Sequence, residues 1–258
     1  MKFIYNFNTH DDIMTITEFN KDNIVLCKDP NIDNWHSHFN YKYDSQISFL
    51  ESTGTQYIDC EYIPKGTTKI ELKSKVIDCA FNSISGNYRL FMPLFGAVDY
   101  NSVHNKFWAA YVSENSTSST KHLLYYYNSG GTQIYVNYKP QLTSDAQVKV
   151  WFTHSFNRND VYRNGSQLQA SGTNPADSSS INYSMYLFSV NANTNTKVKT
   201  GTSKLQVEYF RIKDENDNLI RDFIPVRVGT IGYMYDKVSQ RLFRNKGTGD
   251  FVLGPDIT

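Results

Sequence analysis

The sequence predicts an all-β protein, a two-sheet antiparallel sandwich preceded by a short β-rich N-terminal segment. Aromatic residues make up 15% of the chain, with 19 Tyr and 16 Phe, and such side chains favour pleated, half-buried surfaces. Segments in which apolar and polar residues alternate recur along the chain, with turn residues between them. Because no amphipathic helical stretch of convincing length separates these segments, we expect antiparallel pairing rather than βαβ units.

The first segment, residues 1–44, is predicted to form a small ribbon of strands. "KFIYNF" alternates, "NIVLC" is a short apolar strand closed by the turn-forming "KDPNIDN", and "WHSHFNYKYD" alternates again. Only "DDIMTITEF" has the pattern of a helical turn. A ribbon this small has little core of its own. We therefore expect residues 1–44 to be an attachment segment that leans on the larger domain or on another protein.

Residues 45–258 carry the strand signals of the sandwich itself. The plainest are "KIELKSKVI", "KFWAAYVS", "HLLYYYN", "TQIYVNYK", "VKVWFTHSFN", "DVYRNG", "SMYLFSVN", "KLQVEYFRIKD" and "LIRDFIPVRV". Turn-forming residues such as "NSGG" and "ENDN" lie between them. Asn164-Gly165 stands between two strand-like flanks, and this dipeptide is the strongest short-range signal of a hairpin.

Charge and cysteine content exclude several classes of partner. Lys+Arg is 26 against Asp+Glu 25 among 258 residues, which argues against a nucleic-acid or acidic-membrane partner. Cys27, Cys60 and Cys79 are an odd number without CxxC spacing, so we interpret them as small buried hydrophobes. "MKFIYNFNTHDD" lacks the apolar core of a signal peptide, and the longest apolar stretch, Leu90–Val98, is too short to span a bilayer. We expect a soluble protein without an export signal.

Aromatic side chains beside amides suggest a carbohydrate site, because sugar rings stack on exposed aromatics and amides bind their hydroxyl groups. The candidate residues are Tyr100, Asn101, Trp108, Tyr125, Tyr127 and Asn128. Alternation places Tyr126 opposite to Tyr125 and Tyr127, so aromatic side chains are expected on the outside of this strand. Two other interpretations stay open for these residues, as core side chains or as contacts with a neighbouring subunit, and the subunit contact is slightly favoured over sugar binding.

Two clusters contain residue types that bind metals. The turn "KDENDN" supplies Asp214, Asn216 and Asn218, whose oxygens suit Ca²⁺, but the spacing matches no calcium loop. Asp and Asn are also ordinary turn residues. His36 and His38 lie on one face of a strand and make only half of a metal site. We predict no cofactor, with calcium at the "KDENDN" turn as the alternative.

Several segments resemble a known family. "FLESTGTQYIDCEYIP" (Phe49–Pro64) resembles the opening strand of laminin-G-like, concanavalin A-like jelly-roll domains, especially the branch in gut bacteria and their bacteriophages, which often has Thr-Gly in place of Cys60-Glu61. "LFGAV", "HSFNRNDVYRNGSQL", "MYLFSVNAN" and the ending "RDFIPVRVGTIGYMYDKVSQRLFRNKGTGDF" follow in the order typical of that family, over most of Ser45–Asp256. The N-terminal segment is similar to short pieces on proteins of phages that infect Bacteroidetes. The ending is interpreted as a closure that covers a sheet edge.

The same architecture includes glycoside hydrolases, which need two carboxyl groups roughly 5–10 Å apart. In the jelly-roll glucanases a Glu-x-Asp-x-x-Glu run supplies them, and this sequence contains no such run. Glu51, Glu61, Glu71, Glu114, Glu208 and Glu215 are scattered, and none has a carboxylate partner two residues away on a strand. We therefore predict that the protein is not an enzyme, and a glycoside hydrolase is the disfavoured third interpretation.

The resemblance implies a non-enzymatic structural or adhesion protein of a bacteriophage virion, a fibre or decoration component of head or tail. In this interpretation residues 1–44 dock onto other virion proteins, and the sandwich faces outward and binds host surface polysaccharide weakly. A homo-oligomer is expected, and the fibre analogy favours a trimer. The alternative is a bacterial surface or secreted carbohydrate-binding module.

Overall fold

The computed structural model describes residues 24–28, 35–39, 43–78, 82–83, 89–99, 106–115, 121–129, 136–157, 160–170, 181–193 and 204–257. The chain divides into two compact units, Met1–Lys42 and Tyr43–Thr258, two residues from the boundary predicted from the sequence. Within the described residues no helix has both the length and the apolar character needed to cross a membrane.

The described residues form 22 strands and one short helix. In chain order these are β1 (Ile24–Lys28), β2 (Trp35–Phe39), β3 (Ser45–Gln46), β4 (Leu50–Thr53), β5 (Ile58–Asp59), β6 (Lys69–Asp78), β7 (Asn82–Ser83), β8 (Arg89–Asp99), β9 (Lys106–Asn115), β10 (Lys121–Ser129), β11 (Val136–Leu142), α1 (Asp145–Val148), β12 (Trp151–Asn157), β13 (Asp160–Arg163), β14 (Ser166–Gln167), β15 (Gln169–Ala170), β16 (Tyr186–Leu187), β17 (Asn191–Asn193), β18 (Lys204–Lys213), β19 (Leu219–Val228), β20 (Ile231–Asp236), β21 (Arg241–Phe243) and β22 (Val252–Leu253).

The N-terminal unit contains β1 and β2, which pair antiparallel with Cys27 opposite His36. These strands confirm the predictions made from "NIVLC" and from the first half of "WHSHFNYKYD". The strand predicted for "KFIYNF" and the helical turn predicted for "DDIMTITEF" lie outside the described residues, as does Cys79.

The second unit contains two sheets. The first has the order β15-β11-β10-β9-β8-β16-β5, with β7 and β17 also paired to β8. The second has the order β14-β13-β12-β6-β18-β19-β20-β21, with β3, β4 and β22 joined to it off this path. Pairing is antiparallel throughout except between β17 and β8. The predicted all-β, two-sheet antiparallel sandwich is confirmed.

The core lies between the two sheets and is centred on aromatic rings. Phe95 of β8 in the first sheet lies 5.2 Å from Phe156 of β12 and 5.4 Å from Phe210 of β18 in the second, measured between ring centroids. In β6 the burial alternates, with Ile70, Leu72 and their successors facing inward and the charged residues between them half-buried. This is the pattern expected when one face of an antiparallel sheet is buried.

Most strand boundaries agree with the alternation in the sequence, and three differ. The strand predicted from "TQIYVNYK" is observed as β11, which extends three residues further, to Leu142, while the first four residues of the predicted segment lie outside the described part of the chain. The predicted strand "VKVWFTHSFN" begins later than expected, at Trp151, because Val148 ends the helix α1. "SMYLFSVN" is split into β16 and β17 by Phe188, which has a φ of 68°. The hairpin predicted at Asn164-Gly165 is confirmed, with φ values of 50° and 79° that suit a tight hairpin turn.

The ending Arg221–Phe251 closes the sandwich. Phe243 of β21 packs edge to face on Phe223 of β19 at 4.9 Å, and Phe251 lies 5.1 Å from Phe188, which follows β16 of the first sheet. Gly247 approaches the backbone of Thr55 so closely that a Cβ atom there would overlap the carbonyl oxygen. The segment therefore joins both sheets, in agreement with the closing role predicted for it.

Candidate functional site

The structure corrects one predicted glycan-binding residue. Trp108 of β9 is only 1% exposed, and its ring lies 6.3 Å from that of Phe95. Ala110 and Val112, at alternate positions of the same strand, belong to the same core. The Trp108 ring therefore fills the space between the sheets and is not available to stack on a sugar.

The other predicted glycan-binding residues lack a described side chain. Tyr100 and Asn101 lie outside the described residues. Tyr125, Tyr127 and Asn128 belong to β10, where the backbone of Tyr125 is paired with Ala110 and Val136. Their role in glycan binding or subunit contact stays a prediction.

The "KDENDN" turn, the alternative calcium site predicted from the sequence, is stabilised by its own side chains. The Asp214 carboxylate accepts hydrogen bonds from the backbone NH groups of Asn216 and Asn218, both at 2.9 Å, and from the Asn218 side-chain amide at 2.9 Å. The hydrogen bond from the Asn218 side chain is the main reason that the pKa of Asp214 lies below its usual value, and the two backbone NH groups lower it further. The carboxylate therefore stabilises a local turn. Among the described residues no group of three or more His, Cys, Asp or Glu side chains is placed to hold a metal ion.

The scattered glutamates connect neighbouring parts of the chain. Their partners are Gln206 for Glu51 (2.7 Å), Arg241 for Glu61 (3.0 Å), Lys213 for Glu71 (2.6 Å), Lys73 for Glu208 (2.7 Å) and Thr67 for Glu215 (2.9 Å). The Glu114 side chain is outside the described part. The charged residues of β6 and β18 thus form cross-strand pairs of opposite sign on the second sheet, an arrangement that supports strand pairing.

A small cavity lies between the two sheets, and its lining includes the buried side chain of His154. It has a volume of about 20 Å³, and its polar lining comes from Ser74, Lys121, His154 and Arg163. The rest of the lining is apolar, from Val76, Leu94, Val112, Leu123, Leu142, Val148 and Phe152. Lys121 belongs to β10 of the first sheet, whereas His154 and Arg163 are paired across β12 and β13 of the second. The cavity therefore lies where basic side chains of both sheets converge.

The hydrogen bond to Arg163 fixes the tautomer of His154. The Arg163 Nε–H donates to His154 Nε2 at 3.1 Å, so Nε2 carries no proton and the neutral ring carries it on Nδ1. His154 is 4% exposed, and within the described part of the chain its Nδ1 has no hydrogen-bond partner. Burial, and then the neighbouring Arg163 charge, lowers the pKa of His154 to about 3. The ring is therefore neutral near pH 7 and presents a buried N–H donor.

We expect the low pKa of His154 to make the protein less stable in mild acid. Between pH 6.5 and 3 the unfolded chain binds a proton at this residue that the folded chain does not, so stability falls as the pH falls. The slope is about 1.4 kcal/mol per pH unit, or about 2–3 kcal/mol between pH 6.5 and 4.5. Urea unfolding of the wild type and of His154→Phe at both pH values isolates this residue, since the carboxylates are common to both. Equal pH dependence of the two proteins would contradict the prediction.

Sequence reasoning missed this cluster, although part of its signal was present. The hairpin of β12 and β13 sets His154 opposite Arg163, a pairing that follows from the short connection between the two strands. Lys121 comes from the other sheet, and no local pattern places it beside them. The cavity itself depends on how the two sheets pack.

No family model matches the chain, and no curated protein matches it. Among solved structures the chain is similar to the mouse laminin alpha1 chain, domains LG4-5, with 10% sequence identity and a TM-score of 0.38. The similarity covers 70% of this chain and 47% of that one, so this chain spans about half the length of the laminin structure. The sandwich itself is established by the two sheets described above.

Proposed function

We propose that this chain is a non-enzymatic structural or adhesion protein of a bacteriophage particle, displayed as a fibre or decoration component. The observation that carries the proposal is the division of the chain at Lys42 and Tyr43 into a short unit and a sandwich with its own core. Such a division suits a protein in which one part docks and the other is presented. In this proposal residues 1–44 bind other virion proteins and the sandwich faces outward.

The contacts within the sandwich support a role in display rather than in catalysis. The described glutamate side chains bind cations, amides or a hydroxyl of neighbouring strands and loops, and glycoside hydrolysis needs two carboxyl groups facing one cleft. The closing segment and the aromatic core join the two sheets. In this proposal many copies on one particle strengthen weak binding to host surface polysaccharide, and β10 supplies candidate contacts at Tyr125, Tyr127 and Asn128.

Mass spectrometry of density-purified phage particles, from a culture that carries this gene, tests the proposal directly. We expect the protein at a fixed copy number per particle, and that number distinguishes head decoration from a tail fibre. Absence from the particles together with presence on the bacterial surface would overturn it and favour a bacterial carbohydrate-binding module.

We expect deletion of residues 1–42 to abolish incorporation into particles while the sandwich stays folded. The physical reason is that, among the described residues, the core cluster and the closing segment lie within residues 43–258. Incorporation is measured by complementing a phage that lacks the gene, and folding by circular dichroism and the melting temperature of the truncated protein. A control variant, Lys65→Gln, changes an exposed residue of the sandwich and is expected to incorporate normally. Normal incorporation of the truncated protein would contradict the assigned role of the N-terminal unit.

A further inference from the structure

The chain enters the sandwich along one edge of β19. Residues 44–48, called the entry segment here, follow almost directly on the boundary between the two units. The Asp44 NH donates to the Arg227 carbonyl at 3.0 Å, and the Ile47 NH donates to the Pro225 carbonyl at 3.1 Å. Within this segment β3 pairs antiparallel with β19. One edge of the entry segment is therefore bonded to a long strand of the second sheet.

The other edge of the entry segment is bonded to residues 254–257, called the strap here. The Ile257 NH donates to the Gln46 carbonyl at 2.8 Å, and the Ser48 NH donates to the Pro255 carbonyl, also at 2.8 Å. The entry segment is thus the middle one of three neighbouring segments. It cannot leave the sandwich without breaking hydrogen bonds on both of its edges.

An ion pair joins the two neighbours across the entry segment. Arg227 of β19 donates from Nε to Asp256 Oδ1 at 2.7 Å and from Nη2 to Asp256 Oδ2 at 2.6 Å, and such two-bond pairs fix the geometry as well as the charge. Arg227 is paired with Ser45 on one edge of the entry segment, and Asp256 is paired with Ile47 on the other. The Gly229 NH also donates to the carboxylate of the entry segment, at Asp44 Oδ2, at 2.6 Å.

The direction of these strands decides how a pulling force acts on them. β19 has ten residues, from Leu219 next to the "KDENDN" turn to Val228 beside the entry segment, a length of about 30 Å. A force applied between residues 1–42 and that turn therefore runs along β19. Hydrogen bonds of antiparallel strands are perpendicular to the strands. Such a force loads the bonds on both edges of the entry segment together, in shear, and does not open them one after another.

We propose that the strap and the Arg227–Asp256 ion pair are a mechanical clasp, which holds the entry segment in the sandwich when the protein is pulled through residues 1–42. The chain connects the first unit to the sandwich through this segment, so a load on one unit reaches the other there. The clasp is a property of the sandwich itself and is tested without phage particles. Its failure would leave the proposed function untouched, and failure of that function would leave the clasp untouched.

Single-molecule force spectroscopy of the full chain tests the proposal in two pulling geometries. In the first, the handles are attached at the N-terminus and at an azide-bearing residue placed at the exposed position of Asn216, so the load enters through the entry segment. In the second, the handles are at the exposed positions of Ser166 and Asn216, and the load bypasses that segment. The lifetime of the folded sandwich is measured at constant force, because forced unfolding reports the unfolding rate.

We expect Asp256→Ala to shorten this lifetime about fivefold in the first geometry, the upper end for a partly exposed ion pair, and to leave it nearly unchanged in the second. The matched control Asp250→Ala removes an exposed carboxylate of the closing segment and is expected to change neither lifetime. Deletion of residues 254–258 removes the strap and is expected to shorten the first lifetime by more than about tenfold. If that variant does not fold, Asp256→Ala decides.

Two results would overturn the clasp. If Asp256→Ala shortens the lifetime equally in both geometries, the ion pair stabilises the fold in general and has no special role under load at the entry segment. If Asp256→Ala leaves the lifetime in the first geometry unchanged, the ion pair bears no load.

Discussion

Replacing Trp108 by alanine is expected to lower the free energy of unfolding by about 3–5 kcal/mol, the usual cost of removing a large aromatic side chain from a core. The ring is 1% exposed and packs near Phe95, which in turn contacts aromatic rings of the second sheet. Its loss leaves a cavity at the junction between the sheets. Urea unfolding followed by circular dichroism measures the change without depending on tryptophan fluorescence.

Trp151→Ala is the matched control for this variant. Trp151 is half-buried at the start of β12, where its ring lies 6.3 Å from Phe49. We expect this substitution to cost less than about 2 kcal/mol, because much less apolar area leaves contact with the protein. A change below 1 kcal/mol for Trp108→Ala, together with a selective loss of sugar binding, would contradict the core position of Trp108 and restore the original prediction for it.

The Trp108 result illustrates what alternation in a sequence can and cannot predict. Alternation predicts β6 with nearly the observed boundaries, because one face of that strand is buried. The boundaries of β18 and β19 are also predicted closely, although each of these strands contains a run of consecutive buried residues. Alternation also predicts that Trp108, Ala110 and Val112 lie on the same face of β9. It does not predict whether that face is turned towards the core between the sheets. That choice depends on the opposite sheet, through contacts such as the one between Phe95 and Phe210.

The cavity was harder to predict for the same reason. The pairing of His154 with Arg163 is local to one hairpin, whereas Lys121 approaches from a strand of the other sheet. A histidine in "FTHSF" is also compatible with an ordinary core residue. Only the packed structure reveals that its Nδ1 is buried without a partner among the residues that the structure describes.

Asp236→Ala is expected to destabilise the protein by about 3–5 kcal/mol, because it removes a buried charge that several donors and a cation surround. Asp236 is fully buried at the end of β20. Its Oδ1 accepts from the backbone NH groups of Asp222 and Val238, at 2.8 and 3.1 Å. Its Oδ2 accepts from the backbone NH and hydroxyl of Ser239, at 3.2 and 2.6 Å.

These bonds hold β19, β20 and the turn that leads to β21 in one arrangement. The Arg221 Nε lies 3.7 Å from Asp236 Oδ2, and the same guanidinium donates to the backbone carbonyls of Cys60 and Glu61. Alanine at position 236 leaves the donors without an acceptor and the arginine without its buried counter-charge. The closing segment would then lose the contact that positions it against the rest of the sandwich.

Two comparisons make the prediction specific. Asp236→Asn keeps the shape and one acceptor oxygen, so we expect a smaller loss, of about 1–3 kcal/mol. Asp250→Ala removes an exposed carboxylate from the same closing segment, and a change within about 0.5 kcal/mol is expected. Urea unfolding of the three variants at pH 7 gives the order, and hydrogen exchange at β20 and β21 locates the effect. If Asp236→Ala is no more harmful than Asp250→Ala, the hydrogen bonds of Asp236 do not hold the closing segment, and its stability comes from the packing of Phe243 and Phe251 instead.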